Sequence, residues 1–162
     1  MKKPTLYVDL DGVIADFNKA IFKLAPDLDL SEHSPDYESR SKLVDKLCQD
    51  NSNLFRHLEP MVDGIEAVKL LFPHYEVYFL STPMWAVPDS FGDKRIWLET
   101  HFGDLAHKRL ILTHRKDLNV GEYLIDDRFR NGAGEFTGEH IHFGGEKFPD
   151  WRSVLEYLMP KE

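Results

Sequence analysis

An α/β fold around a parallel sheet is predicted for this chain, because short apolar runs of strand length alternate with stretches of helical periodicity, and polar residues fall just past the ends of the strands. Thr5-Leu6-Tyr7-Val8 reads as a buried strand ending at Asp9. After Gly12, the positions Ile14, Phe17, Ile21 and Leu24 recur at helical spacing until Pro26 stops the helix. Ser34 suits an N-cap with Pro35 at the first helical position, and Tyr37, Val44 and Leu47 would line the buried side of that second helix. Asp63 heads a third helix carrying Ile65, Val68 and Leu71, terminated by Pro73. Val77-Tyr78-Phe79-Leu80 is a second buried strand, ending in Ser81-Thr82-Pro83. Ser90 is the expected cap of a helix running to Phe102, with Gly103 as its stop. Leu110-Ile111-Leu112 and Tyr123-Leu124-Ile125 are short strands, the latter leading into Asp126-Asp127. His140 to Phe143 reads as a last strand, and Trp151, Val154, Leu155 and Leu158 mark a closing helix.

The chain has 162 residues, enough for one domain with a substantial core and a small insertion. A hydrophobic fraction of 42% with 30% charged residues is that of an ordinary globular protein. The formal net charge of −8 argues against a nucleic-acid polymer as partner, since phosphate backbones are held mainly by Lys and Arg. A small phosphorylated substrate remains compatible, because it responds to local charge and to any bound divalent cation. The longest apolar stretches, such as Tyr75 to Leu80, are far too short to span a bilayer. The basic start Met1-Lys2-Lys3-Pro4 leads into a strand rather than an apolar signal core, and the single Cys48 rules out an internal disulfide. A cytoplasmic protein is the expectation. A homodimer is compatible with the sequence, although nothing in it specifies one.

Asp9, Ser81 and Asp126 each follow an apolar strand directly. Ligands of open α/β sheets bind outside the carboxyl ends of the strands, so three strand ends would deliver reactive groups to one edge. In Asp9-Leu10-Asp11-Gly12-Val13 the two carboxylates stand two positions apart, on one side of an extended backbone. Like charges held that close need a cation or a shared proton. Asp126-Asp127 would join them if the first strand and the Tyr123 strand are neighbours. Four converging carboxylates, as hard oxygen ligands, suit Mg²⁺. Ser81 and Thr82 offer hydroxyls to phosphate oxygens, and Lys94, near the start of its helix, could direct an ammonium to the same place. Each element alone also fits a blander reading: a polar turn, a helix cap, or a surface lysine whose stem packs. His140-x-His142 would lie on one face of a strand, for packing or surface hydrogen bonding, and Gly132-Ala133-Gly134 reads as a surface loop rather than a dinucleotide loop.

Taken together, Asp9-Leu10-Asp11-Gly12-Val13, Ser81-Thr82, Lys94 and Asp126-Asp127 resemble, in order, the four motifs of haloacid dehalogenase-like phosphatases. The likeness is closest to the 5′(3′)-deoxyribonucleotidase family. It is carried further by Asp11-Gly12-Val13-Ile14-Ala15-Asp16-Phe17, by Phe55-Arg56-His57-Leu58-Glu59-Pro60, by the run from Lys94 to Gly103, and by Leu124-Ile125-Asp126-Asp127-Arg128. It is thin from Pro26 to Asn53. The resemblance implies a Rossmann-like three-layer core at about residues 1–15 and 60–162, with a small helical cap inserted after the first strand at about residues 16–59. It further implies that Asp9 is a nucleophile forming an aspartyl-phosphate. Asp11 would serve as the acid and base, and Asp9, the Asp11 carbonyl, Asp126 and Asp127 would hold Mg²⁺. Ser81, Thr82 and Lys94 would bind phosphate, and Phe17 and Phe55 would form a base pocket.

The substrate this implies is a deoxyribonucleoside monophosphate. Another small phosphorylated metabolite is the first alternative, because the cap is short compared with that of the family's animal members. A phosphate-accepting receiver module is the second, and it would show no multiple turnover. Trp85 is a weaker base-pocket candidate, for which core packing is the expected role.

Overall fold

The computed structural model describes residues 2–51 and 53–162. Five strands, β1 (Thr5–Val8), β2 (Glu76–Ser81), β3 (Leu110–Leu112), β4 (Tyr123–Asp126) and β5 (Glu139–His142), form one parallel sheet in the order β3-β2-β1-β4-β5. Val8 is in register with Phe79 on one side and with Ile125 on the other. The ends of β1, β2 and β4 therefore lie side by side, and the Asp9 N–H donates to the Ile125 carbonyl at 3.0 Å. Strand order reverses at β1, the position where ligand crevices form in doubly wound sheets.

The strands read as near-continuous apolar runs because both faces of the sheet are covered. Leu6, Val8, Val77, Phe79, Ile125 and Ile141 point to one side. There they share the main core with α3 (Gly64–Leu71), α4 (Asp89–Phe102) and α5 (Trp151–Leu158). Tyr7, Leu80 and Leu124 point to the other side, where Ala133 and Phe136, in and beside a short 3₁₀ turn, cover them. That layer is thin, and the Gly132-Ala133-Gly134 segment supplies part of it rather than being only a surface loop.

Between β1 and α3 lie α1 (Phe17–Leu24) and α2 (Tyr37–Asp50), then a 3₁₀ turn at Phe55–His57. The two stems of this insertion are stitched together. The Asp16 N–H donates to Glu59 O at 2.7 Å, and the Met61 N–H to Ile14 O at 2.8 Å. Two buried tryptophans brace the same region through their indole N–H groups, Trp97 to Leu58 O and Trp151 to Val13 O, both at 2.8 Å. Buried indoles find such partners because an unpaired N–H in the core is costly.

Three helix starts differ from the sequence expectation. The first helix begins at Phe17, capped by the Asp16 carboxylate, because residues 10–15 are drawn into a tight loop that takes Ile14 out of the helix. The second begins at Tyr37, since Ser34 and Pro35 form a preceding turn. In α4 Ser90 lies inside the helix, where its hydroxyl donates to Met84 O and accepts from Met84 N, tying the loop after β2 to the helix. Among the described residues, no helix is long and apolar enough to cross a membrane.

Candidate active site

The loop after β1 is wound tightly. The carbonyl of Leu10 accepts N–H groups from Val13, Ile14 and Ala15 at 2.9–3.1 Å, and the Gly12 N–H donates to Ala15 O. Gly12 has φ +81, and a Cβ there would stand 2.2 Å from Asp127 Oδ2. Only glycine lets the Asp127 carboxylate press against this loop. The buried carboxyls of Asp9 and Asp126 and the half-buried one of Asp127 each place an oxygen within 4.8 Å of the others. Three of the four expected carboxyls thus meet at one end of the sheet, while that of Asp11 pairs with Lys94.

Burial, followed by repulsion from Asp126, pushes the Asp9 carboxyl up to about 6, against the pull of Lys116 and Lys94. Asp127 is driven well above the ordinary carboxylate range, first by burial and then by Asp9 and Asp126. Its Oδ1 is buried without a hydrogen-bond partner. Crowded carboxylate oxygens, one of them unsatisfied, fit a small hard cation such as Mg²⁺.

Two buried lysines stand beside the acidic groups, of which Lys116 lines the cavity and Lys94 does not. Lys94 Nζ lies 2.6 Å from Asp11 Oδ2 and 5.0 Å from the centre of the Phe55 ring. Lys116, which sequence reasoning passed over, lies closer to the centre. Its Nζ is 3.1 Å from Asp9 Oδ1 and also bonds Asp126 Oδ2. Burial opposes the Lys116 ammonium, but the two carboxylates outweigh it and raise its pKa. Lys116 also comes after a strand, β3, but not directly as Asp9 follows β1. Its position four residues past Leu112, among polar neighbours, concealed it.

Ser81 Oγ is buried at the end of β2 with no partner among the described residues, whereas the Thr82 hydroxyl donates to Thr113 O at 2.8 Å. Asp9, Asp11, Thr82, Lys116, Asp126 and Asp127 open onto one cavity of about 310 Å³, walled on the insertion side by Phe17, Val44 and Phe55. Phe17 and Phe55 stack on each other, with centroids 5.6 Å apart and planes inclined by 10°. Trp85 is not a core residue. It is 78% exposed at the cavity rim, edge-on to Phe91 and His114, because Pro83 and Met84 carry the chain outward before α4. Arg128, also unanticipated, donates its N–H to Asp126 Oδ1 at 2.9 Å and its guanidinium to Leu30 O at 3.0 Å, joining the acidic pair to the insertion.

Residues 3–149 match the family described as "5' nucleotidase, deoxy (Pyrimidine), cytosolic type C protein". A protein of Vibrio phage KVP40 named "Putative 5'(3')-deoxyribonucleotidase" is 47% identical over 156 residues, covering 96% of this chain and 85% of its own. The Homo sapiens protein named "5'(3')-deoxyribonucleotidase, cytosolic type" is 28% identical over 165 residues, covering 91% of this chain and 77% of its own. Among solved structures, a hydrolase from Streptococcus pneumoniae TIGR4 superposes with a TM-score of 0.50 at 11% identity. The superposition covers 98% of this chain and 99% of that one, a likeness of fold alone. The chain belongs to the 5′(3′)-deoxyribonucleotidase family.

Proposed function

We propose that this chain is a Mg²⁺-dependent 5′(3′)-deoxyribonucleotidase that hydrolyses deoxyribonucleoside monophosphates through an aspartyl-phosphate on Asp9. The observation that carries the reading is the position of the Asp9 carboxylate. It lies on the cavity floor beside Asp126 and Asp127, with Lys116 against it and Asp11 two residues on.

Asp9 attacks phosphorus in line, so an Asp9 O–P bond forms as the bond from phosphorus to the alcohol oxygen breaks. Asp11 gives its proton to the departing oxygen. It then takes a proton from the water that attacks phosphorus and frees Asp9. Lys116, Lys94 and the Ser81 hydroxyl would hold the phosphoryl oxygens; of these only Lys116 lines the cavity, and Lys94 is paired with Asp11. The Thr82 hydroxyl is already committed to Thr113 O and would have to rotate to join them. Asp9, Asp126, Asp127 and the Asp11 carbonyl would hold Mg²⁺, which when bound offsets carboxylate–phosphate repulsion and stabilises charge on the transferring group.

Residues 16–59 act as the cap that excludes water, and Phe17 with Phe55 presents an aromatic surface to the base. The lone buried Cys48 and the cytosolic type of the human relative support a cytoplasmic setting.

Phosphate release with Mg²⁺ across deoxynucleotides, ribonucleotides and sugar phosphates tests the assignment. Turnover of at least one deoxynucleoside monophosphate is expected. Activity confined to sugar phosphates removes the nucleotidase reading and leaves a phosphatase.

A thermal measurement separates out the cation site. Mg²⁺ is expected to raise the Tm of the wild type. Asp127→Asn relieves one repelling charge, so it should raise the metal-free Tm, by about 2–4 °C per kcal/mol relieved, while shrinking the Mg²⁺ response. An Asp127→Asn protein with a full Mg²⁺ response would show that Asp127 does not hold the ion.

A further inference from the structure

Asp126 and Asp127 lie where the sheet ends, and their main chain is held from the side by the edge strand β5. The β4–β5 ladder pairs Asp126 with His142, and its last bond runs from the Phe143 N–H to Asp126 O at 3.0 Å. The next acceptor, the carbonyl of Asp127, lies beyond the ladder. Nε2 of His142 is 3.1 Å from that carbonyl, and Nε2 of His140 is 3.1 Å from Asp126 O. A carbonyl oxygen only accepts, so both imidazoles carry a proton on Nε2 and donate it. The two rings are two residues apart on one face of the strand, and β5 thereby extends its grip past the point where backbone bonding stops.

Both rings are themselves wedged. The Phe129 ring packs against His140 at 4.9 Å and against His142 at 4.6 Å between centroids. A Cβ on Gly145 would stand 2.6 Å from His142 Nδ1, so the backbone closes directly on that imidazole. On the other side of the acidic pair, the Asp127 carboxylate presses on Gly12 with no room for even a methyl group. Asp127 is thus held at both its carbonyl and its carboxylate, which places an oxygen within 4.8 Å of carboxylate oxygens of Asp9 and Asp126.

We propose that His140 and His142 are positioning residues for the cation site. They hold the Asp126 and Asp127 carbonyls so that the two carboxylates keep their places against mutual repulsion. The inference rests on the reading that this acidic pair holds a divalent ion. Partners one step removed from metal ligands are typically worth 10–100-fold in metal affinity.

Mn²⁺ binding, followed by the loss of the free-ion signal in electron paramagnetic resonance, tests this without recourse to turnover. Both histidines are half-buried, so polar replacements suit their sites. In His142→Gln the side-chain amide reaches as far as Nε2 and can still donate, whereas in His142→Asn it falls short. His142→Asn should weaken Mn²⁺ by about 10–100-fold. His142→Gln should stay near wild type, and the same contrast should appear between His140→Asn and His140→Gln. Wild-type affinity in both Asn variants overturns the inference and leaves the cation site intact. Equal losses in the Asn and Gln variants also overturn it, because ring packing and not the donated bond would then matter. A wild-type chain that binds no Mn²⁺ overturns the cation site and this inference together.

Discussion

Asp9→Asn is expected to abolish phosphate release, lowering kcat on the order of 10⁴-fold or more, while the protein stays folded. The carboxamide matches the carboxylate in shape but cannot bond covalently to phosphorus under these conditions, so the covalent route closes entirely. Folding should survive because the substitution removes one of three crowded acidic groups. Lys116 keeps its bond to Asp126. Burial and the Asp126 charge already push Asp9 up to about 6, so its charged form above that pH is a burden on the metal-free protein. A raised acid of this kind favours the folded state at low pH, and that contribution fades as pH climbs from the unfolded carboxyl range through 6. Asp9→Asn should remove this part of the pH dependence, leaving a flatter Tm profile between about pH 4 and 7. Near-normal turnover in Asp9→Asn would remove Asp9 as nucleophile. A protein that unfolds would show instead that the Asp9–Lys116 contact is needed for structure.

Lys116→Met should be as damaging for a different reason. The ammonium is almost wholly buried between Asp9 and Asp126, and without it two buried carboxylates face each other uncompensated. Removing one partner of a buried ion pair costs about 3–5 kcal/mol, so the metal-free variant should melt well below wild type. A divalent cation neutralises the same carboxylates, so Mg²⁺ should restore much of that loss. Turnover should not recover in parallel. Loss of a preorganised donor to the phosphoryl oxygens is worth about 10²–10³-fold in kcat. A variant that regains both stability and full turnover with Mg²⁺ would reduce Lys116 to a structural counter-charge.

Much of the sheet was legible because parallel strands buried on both faces advertise themselves as short apolar runs, and the acids that follow them stand out by contrast. That rule put Asp9 and Asp126 at the same edge of the sheet, and their meeting follows from β1 and β4 being neighbours. Lys116 could not be placed there, since it opens a 3₁₀ turn four residues past the end of β3, and no periodicity marks that position. Trp85 was misjudged for a related reason. Aromatic residues usually pack inside, and only the outward course of Pro83 and Met84 puts this one at the rim. Phe17 and Phe55 were chosen through family likeness rather than periodicity. Their mutual stacking depends on the insertion's stems being joined at Asp16 and Glu59, a pairing of residues far apart in sequence. The hydrogen bonds from His140 and His142 were invisible for the same cause, because strand order decides which carbonyls an edge strand can reach.

Ser81 Oγ and Asp127 Oδ1 are buried and, among the described residues, unsatisfied; on the proposed reading a phosphate oxygen would satisfy the first and a divalent ion the second. A divalent ion and a phosphate bound side by side would attract each other, so occupancy by one should sharpen affinity for the other, and linkage demands that the effect be equal in both directions. Inorganic phosphate should hold the divalent ion more tightly, and the ion should hold phosphate. A departing product would then be slowest to leave when the ion is most abundant.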